Sequence, residues 1–347
     1  MTEIDDYMKD LMRVMSVPEH KLEEQGVLAE LLEKIVSKED GEFLIKIGKD
    51  GGTAPELAEK LKMDKKELTK FLNDMFVKQG IIHPEPHKGT VKWRPTGSML
   101  LHDLVFMNPN YTVEKHSDLL NLLDQYYEEV MAPVIGKAKH SIFRVIPVNE
   151  MIKTPQTQVL PYEEIENIIK KSYRIALADC VCRKRARRCD HPSEVCLSID
   201  LAAEMVLQRN FGKKISKEKA LEVLRISEEA GLVHCVDNKQ KGLLFVCNCC
   251  SCACGAVRAA TVHGYTNAIV PSRYRAVLDP ETCIGCGNCI DKCQFNALTL
   301  DDKAIIDPVK CYGCGNCATN CPENAIKMEE IRPPEHIPEK GVSFMGF

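Results

Sequence analysis

From Cys283 to Cys321 the chain repeats itself with a period of 28 residues: Cys283 superimposes on Cys311, Cys286 on Cys314, Cys289 on Cys317 and Cys293 on Cys321. Each half reads C-x2-C-x2-C-x3-C, first as CIGCGNCIDKC and then as CYGCGNCATNC. No other feature restricts the fold as tightly. Thiols two residues apart must converge on something, and Gly285, Gly287, Gly313 and Gly315 loosen the loops that wrap it. Three thiolates at this spacing reach three corners of one small iron–sulfur cube, and the fourth ligand has to come from elsewhere. Zinc is served instead by two Cys pairs held apart by a longer loop, not by two tight quartets.

On these motifs the segment resembles the two-cluster bacterial ferredoxins. The resemblance implies a small pseudo-twofold α+β unit that transfers single electrons. It also implies a crossed ligand set, in which the last Cys of each run serves the cluster of the other half. Cys283, Cys286, Cys289 and Cys321 would then hold one [4Fe-4S] cluster, and Cys311, Cys314, Cys317 and Cys293 the second. Pro322 follows the second quartet as that family expects, whereas Gln294 stands where the proline of the first quartet belongs. A backbone N–H at Gln294 is expected to bond a cluster sulfur and raise that cluster's potential.

A second cysteine-rich region precedes this one. It begins ADCVCRKRARRCDHPSEVC, with Cys180, Cys182, Cys189 and Cys196, and resumes as VCNCCSCACG, with Cys247, Cys249, Cys250, Cys252 and Cys254. Nine Cys in two short stretches exceed what packing explains, so all nine are candidate metal ligands. One or two further [4Fe-4S] clusters, a non-cubane cluster or zinc would each use them. The C-x-C spacings favour iron–sulfur over zinc, whose structural pairs stand two to four residues apart. These paired motifs resemble those of a group of iron–sulfur proteins of anaerobic bacteria and archaea that join such a domain to a C-terminal two-cluster ferredoxin, over roughly residues 140–325. Between Cys182 and Cys189 lie five cations, Arg183, Lys184, Arg185, Arg187 and Arg188. They either dock an acidic partner or a phosphate-bearing cofactor, or compensate the charge of thiolate-bound clusters. His191, His234 and Cys235 are expected to be structural, since free Cys is among the most buried residue types.

The segments around these motifs read as ordinary secondary structure. Strands are expected over 141–148, 156–160, 173–178 and 243–246, and helices over 22–36, 117–131, 162–171, 198–208 and 216–230. The last of these has Ser216 as N-cap and Gly231 as stop. Nearer the N-terminus, Thr53 with Glu56 and Asp64 with Glu67 mark two helix starts, and Ile81–Ile82 and Val91–Trp93 flank a turn at Lys88–Gly89. Two helices and a β-ribbon make a winged helix-turn-helix. Nine basic against six acidic side chains from Gly52 to Arg94, with no Arg on the second helix, favour a packing or docking role over DNA binding.

The expected fold is therefore α+β and multidomain. It comprises a winged-helix domain with a leading helix over 1–97 and a helical linker over 98–140. A central α/β cysteine-rich iron–sulfur domain over 141–275 and a ferredoxin-type two-cluster domain over 276–330 follow, with a C-terminal tail over 331–347. A chain of 347 residues with 28% charged and 44% hydrophobic side chains can bury several cores. No run of 18 apolar residues exists, and the start, MTEIDDYMKDLMRVM, lacks a signal-type apolar core. The expected setting is the cytoplasm, where 18 Cys serve metal or redox chemistry rather than disulfides, in an anaerobic or microaerophilic organism.

The function these features predict is electron relay between redox proteins, such as a ferredoxin, a flavoprotein or an oxidoreductase subunit. No Gly-rich dinucleotide fingerprint, P-loop or acid–base constellation is present, so an electron-transfer subunit is expected rather than a free-standing enzyme. A cluster-sensing transcription regulator and an oxidoreductase with a catalytic central cluster are the alternatives.

Overall fold

The computed structural model describes residues 4–152, 159–160 and 163–341. The chain divides into two compact units, one running to Met131 and the other from Ala132 to Val342. The expected strand over 156–160 falls largely outside the described residues, as do Phe344 to Phe347.

The first unit opens with helices that apolar spacing did not announce. Asp6–Val14 and Lys38–Ile47 are each started by a side chain that accepts an amide proton, Asp5 from Met8 N at 2.7 Å and Ser37 from Asp40 N at 3.1 Å. The helix expected over 22–36 is in two pieces. Glu19–Glu24 is a 3-10 turn that buries Leu22, and Gly26–Ile35 is the α-helix that buries Leu28, Leu31 and Leu32.

Thr53 and Glu56 form the expected capping box, Thr53 N donating to Glu56 Oε2 at 2.7 Å, and start helix Ala54–Leu61. Asp64 accepts from Lys66 N and Glu67 N and starts helix Lys65–Lys78. Strands β1 (Gly52–Thr53), β2 (Ile82–His87) and β3 (Thr90–Pro95) form an antiparallel sheet in the order β1-β3-β2. Lys88 and Gly89 both take positive φ, 45° and 77°, as a tight hairpin matched to strand twist requires. Leu57, Leu68, Leu72, Phe76, Ile82 and Trp93 are buried beneath this sheet and helix pair. Burying each such side chain contributes about 1.5–3 kcal/mol.

Helix Val113–Tyr126 starts before Ser117, but its backbone departs from helical geometry at His116, so the regular part still begins at Ser117. A π-helical turn, Tyr127–Met131, carries the chain on beyond the expected end at 131, and Pro133 lies just past it in helix Ala132–Gly136. Tyr126 and Tyr127 are buried.

The second unit is built on a six-stranded sheet. Its strands are β4 (Phe143–Val145), β5 (Ile175–Asp179), β6 (Glu194–Ile199), β7 (Lys213–Lys214), β8 (Val233–Asp237) and β9 (Phe245–Cys249). They run in the order β4-β8-β9-β6-β5-β7, with every pairing antiparallel. Helices Ile165–Lys171 and Lys217–Glu229 belong with one face, where Ile169, Leu177, Leu197, Val223, Leu224, Val236 and Val246 share a core. Ser216 caps the second helix and Gly231, at φ 73°, follows its end, both as the sequence indicated. Strand β6 was not expected. The helix read from Ser198 begins at Asp200, so that Cys196 and Ser198 lie on a strand.

The remainder of this unit reproduces the sequence repeat. β10 (Tyr274–Leu278) pairs with β13 (Ile326–Glu330), and β11 (Leu298–Leu300) with β12 (Ala304–Ile306). Helical turns Asn288–Asp291 and Asn316–Thr319 occupy equivalent places in the two halves. Beyond β13, residues 331–341 stay on this unit. Ile337 is buried, Arg332 donates to Ser272 O at 2.6 Å, and Gln240 N donates to Pro338 O at 3.1 Å.

Candidate metal centres

The two Cys quartets fold into two cradles, and each takes its fourth thiol from the other half. One recess is lined by Cys283, Cys286, Cys289 and Cys321. A second is lined by Cys311, Cys314, Cys317 and Cys293. Each recess thus has three thiols from one run and one from the other along its wall.

Glycine is obligatory at the equivalent loop positions 285 and 313. Both have positive φ, and a Cβ would lie 2.2 Å from Asp302 O in the first case and 2.1 Å from Tyr274 O in the second. Backbone amides aim at the sulfurs: Ala297 N donates to Cys293 Sγ at 3.3 Å and Ala325 N to Cys321 Sγ at 3.2 Å. Amides of Ala304 and Gly285 hold the Cys283 thiol below its ordinary pKa.

Deeper thiols shift the other way. Burial, then repulsion from Cys314, Cys311 and Cys293, pushes Cys317 well up, and burial pushes Cys314 up to about 12. Such a set becomes fully anionic only around a cation, so the donor chemistry fits a thiolate-ligated cluster.

The nine central cysteines converge as well, but by a different construction. Period-two alternation puts Cys247 and Cys249 of β9 on one face of the sheet. Cys235 of β8 is directly opposite Cys247 in register and joins the same core. The thiols lie close enough to shift one another's ionisation in one connected series: Cys180 with Cys182, Cys182 with Cys254, Cys254 with Cys249, Cys249 with Cys247, and Cys247 with Cys196, with Cys235 also beside Cys249. Neighbouring Cys235, Cys247 and Cys254 hold Cys249 well below its ordinary pKa, while Cys235, Cys247 and Cys254 are pushed well up. Seven thiols therefore meet in one place. Cys235 had been assigned to packing; it is buried, and it also belongs to this set.

The remaining three, Cys189, Cys250 and Cys252, lie in the same core as Cys180 and Cys182 and bring His191 among them. The ligand atoms of Cys189, His191 and Cys252 all lie within 4.8 Å of one another, and Cys189 Sγ is 3.9 Å from Cys250 Sγ. His234, by contrast, is a satisfied core side chain, 2.6 Å from Asn248 Oδ1 and 2.9 Å from Glu228.

The basic run divides. Arg183 and Arg185 are buried, Arg183 donating to Pro192 O and Asn248 O and Arg185 to Ala253 O, whereas Arg187 and Arg188 are exposed. Burial opposes the charge on Arg183, yet Cys180, Cys250 and Cys249 together keep its pKa above the ordinary value. Arg183 thus lies among the thiols, whereas Arg185 reaches the backbone of Ala253 beside them. Arg144, also buried, lowers the cost of ionising Cys235.

The second ferredoxin-like cradle and the seven-thiol face adjoin. Cys249, Cys254, Val257 and Phe295 share a buried core with Cys293 and Cys314 packed against it. Cys314 and Cys235 are near enough to repel as thiolates. Gln294 does more at this seam than its backbone N–H suggested. Its side chain accepts from Ser251 N at 2.8 Å and Ser251 Oγ at 2.9 Å, and donates to Gly231 O at 3.0 Å. Asn316 Nδ2 donates to Leu232 O at 3.1 Å, and Val148 N donates to Cys314 O at 2.9 Å. Phe295 stacks on Tyr312 at 4.3 Å and closes the cradle.

Residues 282–325 match the family of the 4Fe-4S dicluster domain. The chain thus carries a ferredoxin-type 4Fe-4S domain near the C-terminus of a mixed α and β molecule. No curated protein and no solved structure matches it. Among the described residues no helix is long and apolar enough to cross a membrane.

Proposed function

We propose that the chain is a multi-cluster iron–sulfur protein that relays single electrons between redox proteins in anaerobic metabolism. [4Fe-4S] clusters bound in the two cradles would supply one-electron chemistry. Cys283, Cys286, Cys289 and Cys321 hold the outer position, where Cys286 and Ile284 are exposed and a partner protein has access. Cys293, Cys311, Cys314 and Cys317 hold the inner position. Cys180, Cys182, Cys196, Cys247, Cys249 and Cys254 hold a polynuclear iron–sulfur centre beyond it, since their number exceeds what one tetrahedral ion takes. Arg144, Arg183 and Arg185 offset its negative charge.

The observation that carries this reading is the buried core common to Cys249, Cys254, Cys293 and Cys314, which makes the inner cradle and the sheet face neighbours. The division into domains at 1–97, 98–140, 141–275, 276–330 and 331–347 belongs to the same proposal, with a reducing cytoplasm as the compartment that suits 18 free thiols.

Residues 54–95 read as a winged helix that docks a redox partner. Its second helix exposes Lys65, Lys66, Lys70 and Lys78 together with Glu67, and Lys78 is paired with Asp74 at 3.6 Å, so its face is of mixed charge. DNA recognition calls for a basic face instead.

Anaerobic purification of the full chain, with iron and sulfide quantified and electron paramagnetic resonance followed through graded reduction, tests the relay. More than eight irons per chain, with spin coupling between the inner ferredoxin-type cluster and a further centre, is the expected result. Eight irons and two clusters that titrate with no third interacting spin would remove the central station. DNA binding that switches with oxidation state would replace the relay by a regulator.

A further inference from the structure

We propose that Cys189, His191, Cys250 and Cys252 bind a single zinc ion in a Cys3His site, using none of the thiols of the two ferredoxin-type cradles or of the seven-thiol face. In a tetrahedral site with Zn–S bonds of about 2.3 Å, ligand sulfurs stand roughly 3.8 Å apart. Cys189 Sγ and Cys250 Sγ are 3.9 Å apart. The imidazole of His191 and the thiols of Cys189 and Cys252 fall within one 4.8 Å group. Cys252 closes the set by contacting both Cys189 and Cys250.

These distances separate one ion from a cluster. Thiolates on a cube each sit beyond a different iron and stand further apart than sulfurs that share one ion. Three sulfurs and one imidazole in a tetrahedron are a standard structural zinc set, closed to water and substrate. The residue types also distinguish the groups. His191 is the one imidazole in this constellation, and the seven-thiol set contains none.

The site joins two loops. Cys189 and His191 follow the helix Val181–Ala186, and Cys250 and Cys252 form the turn that leaves β9. Between the latter two stands Ser251, whose N–H and hydroxyl both donate to Gln294 at the end of the first ferredoxin quartet. An ion on Cys250 and Cys252 therefore fixes the hinge of the Gln294 contact. Zinc has no redox chemistry of its own, so it positions the inner cradle against the sheet without taking part in electron flow.

The test uses the full chain, purified anaerobically with its clusters in place. Metal analysis should give one zinc per chain that survives gel filtration with a mild chelator. Zinc-edge X-ray absorption should show three sulfurs at about 2.3 Å and one nitrogen at about 2.0–2.1 Å. This measurement needs no variant. Replacement by Co²⁺ should add the ligand-field bands of a tetrahedral thiolate site.

In Cys252→Ser and His191→Ala, zinc affinity should fall by at least about tenfold, the loss that even an outer-shell partner causes. Iron content and the ferredoxin-type resonances should remain. Absence of zinc with no Co²⁺ uptake, a four-sulfur shell, or zinc lost to the mild chelator would overturn the proposal. So would a drop of several irons in Cys252→Ser, which would assign these cysteines to a cluster. Failure of the relay alone, with eight irons found, leaves the zinc shell to be read independently.

Discussion

The ferredoxin-type cradles and the central thiol face use the same side chain and assemble it in opposite ways. In the cradles, thiols come from closely spaced residues of two short runs, stand around an open recess, and receive hydrogen bonds from backbone amides. On the central face they come from three strands and the starts of two helices spread over some 75 residues, and bear on one another's ionisation. A cradle is a property of its loop, whereas the face is a property of the sheet. It follows that the cradles should fail singly and locally, and the central site should respond to whatever moves the strands or the seam.

The largest effect should come from the ligands themselves. Cys317→Ser should remove about four irons per chain and the resonances of the inner cluster, leaving the outer one in place, as iron assay and electron paramagnetic resonance would show. Cys293→Ser should do the same although it lies in the first motif, because the structure groups it with Cys311, Cys314 and Cys317. Loss of the outer cluster in Cys293→Ser would break the crossed assignment.

Next in size are the loop glycines. Gly313→Ala places a Cβ 2.1 Å from Tyr274 O at a φ of 67°, and should destabilise the protein by about 3 kcal/mol or more. Gly287→Ala has a φ of 80° but its nearest neighbour is a Leu300 methyl at 3.4 Å, so about 1–2 kcal/mol is expected. Anaerobic urea unfolding of the two variants compares them directly. Equal losses would mean that left-handed backbone alone, and not the close approach of β10, fixes the cradle.

The difference between the two regions also decides what the sequence discloses. The cradles are visible because every ligand but one lies within a single 11-residue run and the glycines mark the turns. Ser216, Gly231 and the Thr53–Glu56 capping box were legible for the same reason, being local hydrogen-bond devices. The central face was legible only as a set of candidate ligands. Its division into seven thiols and a Cys3His group depends on β6, which places Cys196 beside β9, and on loop closure over 61 residues between Cys189 and Cys250. Neither leaves a periodic trace. His191 and Gln294 were underrated because their partners, Cys252 and Ser251, are distant in sequence.

The seam gives the next smaller effect. Gln294→Ala removes three hydrogen bonds between the first quartet and the central region and should cost about 1–3 kcal/mol. It keeps the backbone N–H, which Gln294→Pro removes. If the amide bonds a cluster sulfur, only the proline variant should lower the potential of the inner cluster; if the side chain governs the coupling, both should weaken the spin interaction equally. Redox titration of the two variants separates these outcomes.

The smallest expected effect bears on whether the central face is a ligand set throughout. Cys235 lies opposite Cys247 in register, contacts Cys249, and approaches Val233 O at 3.7 Å, so it sits at the edge of the thiol chain nearest the inner cradle. Its thiol proton is directed at Val233 O, with Cys249 also in reach, and in the proposed centre the proton turns to the Cys249 thiolate rather than the side chain becoming a ligand. Cys235→Ala should then retain all iron. Loss of one hydrogen bond to a ligand sulfur disfavours the more negative, reduced state, so the potential should fall. A neutral hydrogen bond of about 0.5–1.5 kcal/mol corresponds to roughly 20–60 mV for one electron. Loss of iron would make Cys235 a seventh ligand and would extend the centre to within one core layer of Cys314. An unchanged potential with full iron would return it to packing alone, and the face would then be held by six thiols on β6, β9 and the loops.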